Sequence, residues 1–64
     1  MTAYAVKVRP ADATAWFWLR SLDPVQLTTL RERARLWPSQ LGAEVAADLV
    51  EAADTYTARV VPIA

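Results

Sequence analysis

The chain has 64 residues with no net formal charge, no cysteine and no histidine, and 55% of its residues are hydrophobic. The missing residue types exclude disulfides and the metal sites built from Cys and His, and the apolar fraction excludes a disordered chain. A single domain of this size, residues 1–64, buries only about 60% of its unfolded surface. We therefore expect it to gain stability from a second copy, most simply as a dimer, or from a larger protein partner.

Residues 3–9 alternate between two kinds of side chain, which is the period of a half-buried strand. One face consists of Tyr4, Val6 and Val8, and the other of Ala5, Lys7 and Arg9. Pro10 ends this strand because proline has no N–H to give to a sheet. The strand is expected to pair either with the β-prone residues 59–63 or with its own copy in a dimer.

Two helices are predicted after the strand. Asp12 or Thr14 can act as the N-cap of a helix over residues 12–22. Asp23 and Pro24 form a typical N-cap and first helical residue, followed by a Gln that completes a capping box, and they predict a helix over residues 24–37.

Ser39 can cap a third helix over residues 39–60. Its apolar residues recur every three or four positions and form one face, made of Leu41, Val45, Leu49, Ala52, Tyr56 and Val60. The predicted fold class is therefore mainly α: a compact three-helix domain with a short N-terminal β-strand.

The aromatic run Trp16-Phe17-Trp18 is followed directly by Leu19. On a helix, successive residues lie about 100° apart, so these four side chains cannot all face one small core. Trp18 and Leu19 fit the core side of the first predicted helix. The opposite side carries Ala13, Trp16, Phe17 and Arg20.

Trp and Arg are enriched at interface hot spots, so we interpret this opposite side as a surface that binds a protein partner. The alternative is that the N-terminal strand covers it.

No residue pattern indicates catalysis or a cofactor. Ser21 and Ser39 have no recognisable base, and the chain has no Cys or His nucleophile. Glu44, Asp48 and Glu51 offer oxygens to a hard cation, but they do not complete a calcium or magnesium shell. We therefore expect no enzyme, no cofactor, no metal and no small-molecule substrate. No stretch approaches the roughly 20 apolar residues that span a bilayer, so we also expect a cytoplasmic protein without a membrane partner.

The predicted order strand, helix, helix over residues 3–36 is similar to that of ribbon-helix-helix regulators, although no sequence motif of that family is present. The resemblance implies a dimer whose paired strands enter DNA through Lys7 and Arg9. Residues 1–35 hold six basic and three acidic residues, which gives this part a net charge of +3. The chain departs from the family in lacking a glycine between the helices and in having a third helix.

The sequence thus favours a small non-enzymatic protein-binding module, such as an adaptor, an inhibitor or a small structural component, presenting its Trp, Phe and Arg side chains. The size and residue usage fit a phage-encoded protein, which would act in the host cytoplasm. The alternative is a dimeric DNA-binding regulator or antitoxin that reads DNA through its strand.

Overall fold

The computed structural model describes residues 2–63, so the two ends of the predicted domain 1–64 lie outside the described range. It contains an antiparallel four-stranded sheet with the strand order β3-β2-β1-β4 and one α-helix packed on one side. In chain order the elements are β1 (Ala3–Pro10), β2 (Phe17–Leu22), β3 (Val25–Thr28), a short 3₁₀ turn (Arg31–Arg33), α1 (Gln40–Ala53) and β4 (Tyr56–Ile63).

The prediction of a mainly α, three-helix domain is wrong, and so is the description of the chain as a small helical protein. Residues 12–22 and 24–37, predicted as helices, form β2, β3 and the segments around them. The third predicted helix, residues 39–60, ends at Ala53, and the chain then continues into β4.

The aromatic run explains the first of these errors. In a strand, neighbouring side chains point to opposite sides of the sheet. Trp18 therefore lies on one side and Leu19 on the other, where Leu19 is fully buried. A strand distributes consecutive bulky side chains over two surfaces, and aromatic residues favour strands for that reason.

The turn between β2 and β3 explains the second error. Asp23 and Pro24 form the two-residue connection between the paired residues Leu22 and Val25, and their peptide bond is cis. Asp and Pro are favoured in turns as well as at helix starts, so the capping-box pattern fits either structure. The alternation of apolar and polar residues from Val25 to Thr28 is the signal that indicates a strand.

The helix buries the opposite side from the one predicted. Its buried residues are the small ones, namely Ala43, Ala46, Ala47 and Val50, and they pack with Val6, Val8 and Leu19 of the sheet. Leu41, Val45 and Leu49 are instead 73%, 52% and 53% exposed. Both sides of the helix are apolar, and the alanine side lets the helix lie closer to the sheet.

Two local signals in the sequence do appear in the structure. The Ser39 hydroxyl accepts a hydrogen bond of 3.1 Å from the Gly42 N–H and so caps α1. The C-terminal tail pairs with the first strand within one chain, in an antiparallel ladder from Ala3 opposite Ile63 to Pro10 opposite Tyr56.

Strand β1 is central in the sheet, with partners along both of its edges. The pairing of β1 with β2 covers Lys7 and Val8. Further along the same edge of β1, Tyr4 exchanges two backbone hydrogen bonds of 2.8 and 2.9 Å with Trp37. The Arg35 N–H donates to the Leu19 carbonyl at 2.9 Å and holds the same segment in place. Because β1 has no open edge, it cannot pair with its copy in a dimer, and the ribbon-helix-helix arrangement does not apply.

The outer edge of β4 is protected against pairing with another strand. Pro62 lies opposite Tyr4 in the ladder between β1 and β4. The backbone N–H and C=O of Tyr4 bond to Trp37, away from β4, so this pair is not hydrogen-bonded across the ladder. The nitrogen of Pro62 therefore faces the open edge of β4. The Ala58 N–H donates to the Glu51 carboxylate at 3.1 Å. Proline and occupied N–H groups are devices that stop sheets from joining edge to edge.

Candidate functional site

The side of the sheet away from α1 carries a cluster of tryptophans and cations. The strand pairing places Lys7 between Trp18 of β2 and Arg59 of β4, and paired residues share a face. Arg9 lies two residues after Lys7 and points to the same side. We call this surface the basic aromatic face, and its members are Lys7, Arg9, Trp16, Trp18, Arg20 and Arg59.

The cations of this face lie over the indole rings. The Lys7 ammonium is 5.0 Å from the centre of the Trp18 ring. The Trp16 ring has two guanidinium neighbours, Arg9 at 5.4 Å and Arg59 at 5.8 Å. Each distance falls within the roughly 6 Å range of a cation–π contact. Trp16, which precedes β2, is thereby tied to both β1 and β4.

Arg20 lies two residues after Trp18 and therefore on the same side of β2, next to an irregularity in that strand. The pairing with β3 shifts between Leu19 and Ser21, so the strand has one extra residue there. This extra residue lets Leu19 and Leu22 both pack against the core, and it leaves Arg20 exposed.

The charges of the molecule are separated between its two sides. The basic aromatic face holds Lys7, Arg9, Arg20 and Arg59, which are four of the seven basic residues of the chain. The acidic residues of α1, Glu44, Asp48 and Glu51, are exposed on the opposite side of the sheet. A chain with no net charge therefore has one strongly basic surface.

The basic aromatic face is concave in part. A pocket of about 410 Å³ is lined by Lys7, Trp16, Arg59 and Val61. A second pocket of about 370 Å³ lies toward the other end of β1, where the segment after β3 passes in front of Ala5. Its walls are mostly apolar, with Leu36 and Ile63, and Arg31 and Glu32 add one charge of each sign.

The predicted protein-binding residues do not share one surface. Trp16 and Arg20 belong to the basic aromatic face, and Trp16 is 37% exposed. Phe17 lies opposite Val8, a core residue, and so points to the helix side. Ala13 lies in the connection between β1 and β2, where its N–H donates to the Pro10 carbonyl at 3.1 Å.

The residues predicted for DNA binding join the same face. Lys7 and Arg9 contact Trp18 and Trp16, so two groups that the sequence kept apart come together. The sequence does not predict Trp18 and Arg59 as binding residues, because the helical pattern puts Trp18 in the core of the first predicted helix and Arg59 at the end of the third. The two-residue alternation of the aromatic run was the signal for Trp18.

The described residues contain no group of three or more acidic, His or Cys side chains arranged to hold a metal ion. No helix in the described part of the chain is long and apolar enough to cross a membrane. No protein-family model, curated protein or solved structure matches the chain. The function is therefore argued from the geometry and chemistry of the site.

Proposed function

We propose that this protein is a non-enzymatic binding protein that holds single-stranded nucleic acid on its basic aromatic face. The observation that carries the proposal is the contact of three cations with two neighbouring tryptophans on one side of the sheet. Single-strand binding proteins combine these two elements: cations follow the phosphate backbone and aromatic rings stack on the bases.

The width of the sheet favours a single strand over a duplex. The major groove of DNA is about 12 Å wide and admits a helix or a two-stranded ribbon. Four strands spaced about 4.8 Å apart are already wider than this before their side chains are counted. The face therefore cannot enter the groove, whereas a flexible single strand can lie across it.

Each residue has a distinct role in the proposed complex. The partly exposed Trp16 offers a ring surface on which a base can stack. Arg9 and Arg59 lie 5.4 and 5.8 Å from the centre of the Trp16 ring. Guanidinium groups stack on flat rings and also bond phosphate oxygens in pairs, so these two residues suit both the bases and the phosphates of a single strand. Lys7 adds a compact charge that can bind a phosphate from more directions than the planar guanidinium of an arginine. Such a protein would act in the cytoplasm.

The proposal can be tested with a fluorescein-labelled oligothymidine of 12 nucleotides and fluorescence anisotropy at low salt. We expect the oligonucleotide to bind more tightly than a duplex of equal length. Trp16→Ala should lower the affinity by about 1–3 kcal/mol, the usual contribution of one stacked base. Arg35→Gln is a matched charge control, because Arg35 lies 5.2 Å from the ring of Trp37, which packs against the core on the helix side.

Polyglutamate separates charge from stacking in the same assay, because it is a polyanion without bases. If polyglutamate competes as well as the oligonucleotide, the face binds an acidic protein and the nucleic-acid proposal is wrong. Absence of oligonucleotide binding at low salt would also refute it.

A further inference from the structure

The outer surface of α1 is apolar and has no cover within the described chain. Leu41, Val45 and Leu49 follow one another at intervals of four residues, so they form one stripe along the helix. At least half of each side chain is exposed. Large side chains usually fill a core, yet here the alanines do so and the larger residues point outward.

An acidic row runs along one flank of this stripe. Glu44, Asp48 and Glu51 are spaced by four and three residues, and α1 contains no basic residue to pair with them. The three carboxylates line a groove of about 440 Å³ between the helix and β4, and Arg59 of β4 lies in its wall. We call the stripe and this row together the acidic helix face.

We propose that the acidic helix face docks a basic amphipathic helix of a partner protein. The apolar stripe fits the apolar residues of such a helix, spaced by three and four positions as in helix-in-groove recognition. Lysine or arginine residues beside that partner's stripe would enter the groove and meet the carboxylates. The carboxylates and the stripe lie on the other side of the sheet from the basic aromatic face, with Arg59 lining both the acidic groove and the pocket of that face. The site does not depend on the proposed nucleic-acid function.

A second copy of the chain is a poorer occupant. Two copies packed with their helices antiparallel and related by a two-fold axis have their acidic rows on the same side of the contact, where like charges repel. Pairing through the β4 edge of the sheet is opposed as well, because Pro62 and the bond from Ala58 to Glu51 protect that edge. The charge pattern thus favours a basic partner over an antiparallel dimer.

The test uses two synthetic 18-residue helical peptides that share a leucine stripe and differ only in their flanking residues. One peptide carries lysines and the other carries glutamates at those positions. We expect the full-length protein to bind the lysine peptide, measured by calorimetry, and to bind the glutamate peptide at least about tenfold more weakly.

Two protein variants connect this binding to the acidic helix face. Leu49→Gln removes an exposed apolar contact, and Glu44→Gln with Asp48→Asn removes two charges. Each should weaken lysine-peptide binding by about tenfold or more. The circular dichroism spectrum should stay unchanged and oligonucleotide affinity should change by no more than about threefold. Leu30→Gln is the control, because Leu30 is 44% exposed but lies outside α1.

The proposal would be overturned by equal binding of both peptides, by lysine-peptide binding that neither variant reduces, or by no binding of the lysine peptide. Self-association of the wild-type protein that Leu49→Gln abolishes would also overturn it, because a second copy would then be the occupant. Failure of oligonucleotide binding with intact peptide binding would count against the proposed function alone.

Discussion

Leu19 and Leu41 are the same residue type in opposite surroundings. Leu19 is fully buried, and its side chain packs with Val6, Val8 and the small residues of α1. Leu41 lies in the first turn of the helix and is 73% exposed. The free energy that each leucine contributes to folding should therefore differ widely, since burial of apolar surface is the main favourable term.

Truncation of these two residues tests the packing directly. Leu19→Ala should lower the free energy of unfolding by about 2–5 kcal/mol, because it removes a buried side chain and leaves a cavity. Leu41→Ala should change it by no more than about 0.5 kcal/mol, as is usual for exposed positions. Urea denaturation followed by circular dichroism measures both. Equal losses of unfolding free energy in the two variants would contradict the core described here. They would mean that Leu41 is packed in the core as tightly as Leu19.

The elements differ in how well the sequence indicates them. The first strand is evident from its alternation, and the start of α1 is evident from Ser39, because both signals involve only neighbouring residues. The end of α1 is hidden, since Tyr56 and Val60 continue the helical spacing while they lie in β4. Apolar residues four apart satisfy a helix and also the same face of a strand, so spacing alone does not decide between them.

The site could be predicted only in part for the same reason. Lys7, Arg9, Trp16 and Arg20 were identified from residue type, because exposed tryptophans and cations are the usual binding groups. Their common location depends on which strands are neighbours, and this pairing joins residues as far apart as Lys7 and Arg59. No local pattern specifies contacts of that range.

The cap of α1 gives a prediction at the level of this element. Ser39→Ala should lower the free energy of unfolding by about 1 kcal/mol, because the Gly42 N–H loses its acceptor. Ser39→Asp should retain most of the stability, since a carboxylate also accepts this bond and is favoured at a helix N-terminus. Thermal and urea unfolding of both variants provide the measurement. Equal stability of the alanine and aspartate variants would show that the cap does not stabilise the helix.

At the level of the whole molecule, charge separation matters more than net charge. The chain has equal numbers of acidic and basic residues, seven of each. The fold puts four of the cations on the basic aromatic face and three of the carboxylates on α1. A ligand on the basic aromatic face is close to Lys7, Arg9, Arg20 and Arg59, while the acidic row of α1 lies on the other side of the sheet. Salt reduces the influence of that row, since the Debye length is about 10 Å at 0.1 M.

The salt dependence of oligonucleotide binding tests whether the local or the net charge governs the interaction. Each phosphate neutralised on a single strand contributes about −0.7 to the slope of log affinity against log salt concentration. Contacts from three or four cations of the basic aromatic face should give a slope of about −2 to −3. A ligand that responded only to the net charge of zero would give a slope near zero. Anisotropy titrations at several salt concentrations between about 25 and about 200 mM measure this slope.

Two variants assign the slope to one side of the molecule. Arg59→Gln should reduce its magnitude by about 0.7, because one phosphate contact is lost. Glu44→Gln with Asp48→Asn should leave the slope unchanged and raise the affinity no more than about threefold, since these carboxylates lie across the sheet from the ligand. If the change on α1 altered the slope as much as Arg59→Gln, the ligand would contact both surfaces. The separation of the molecule into a basic and an acidic binding side would then be wrong.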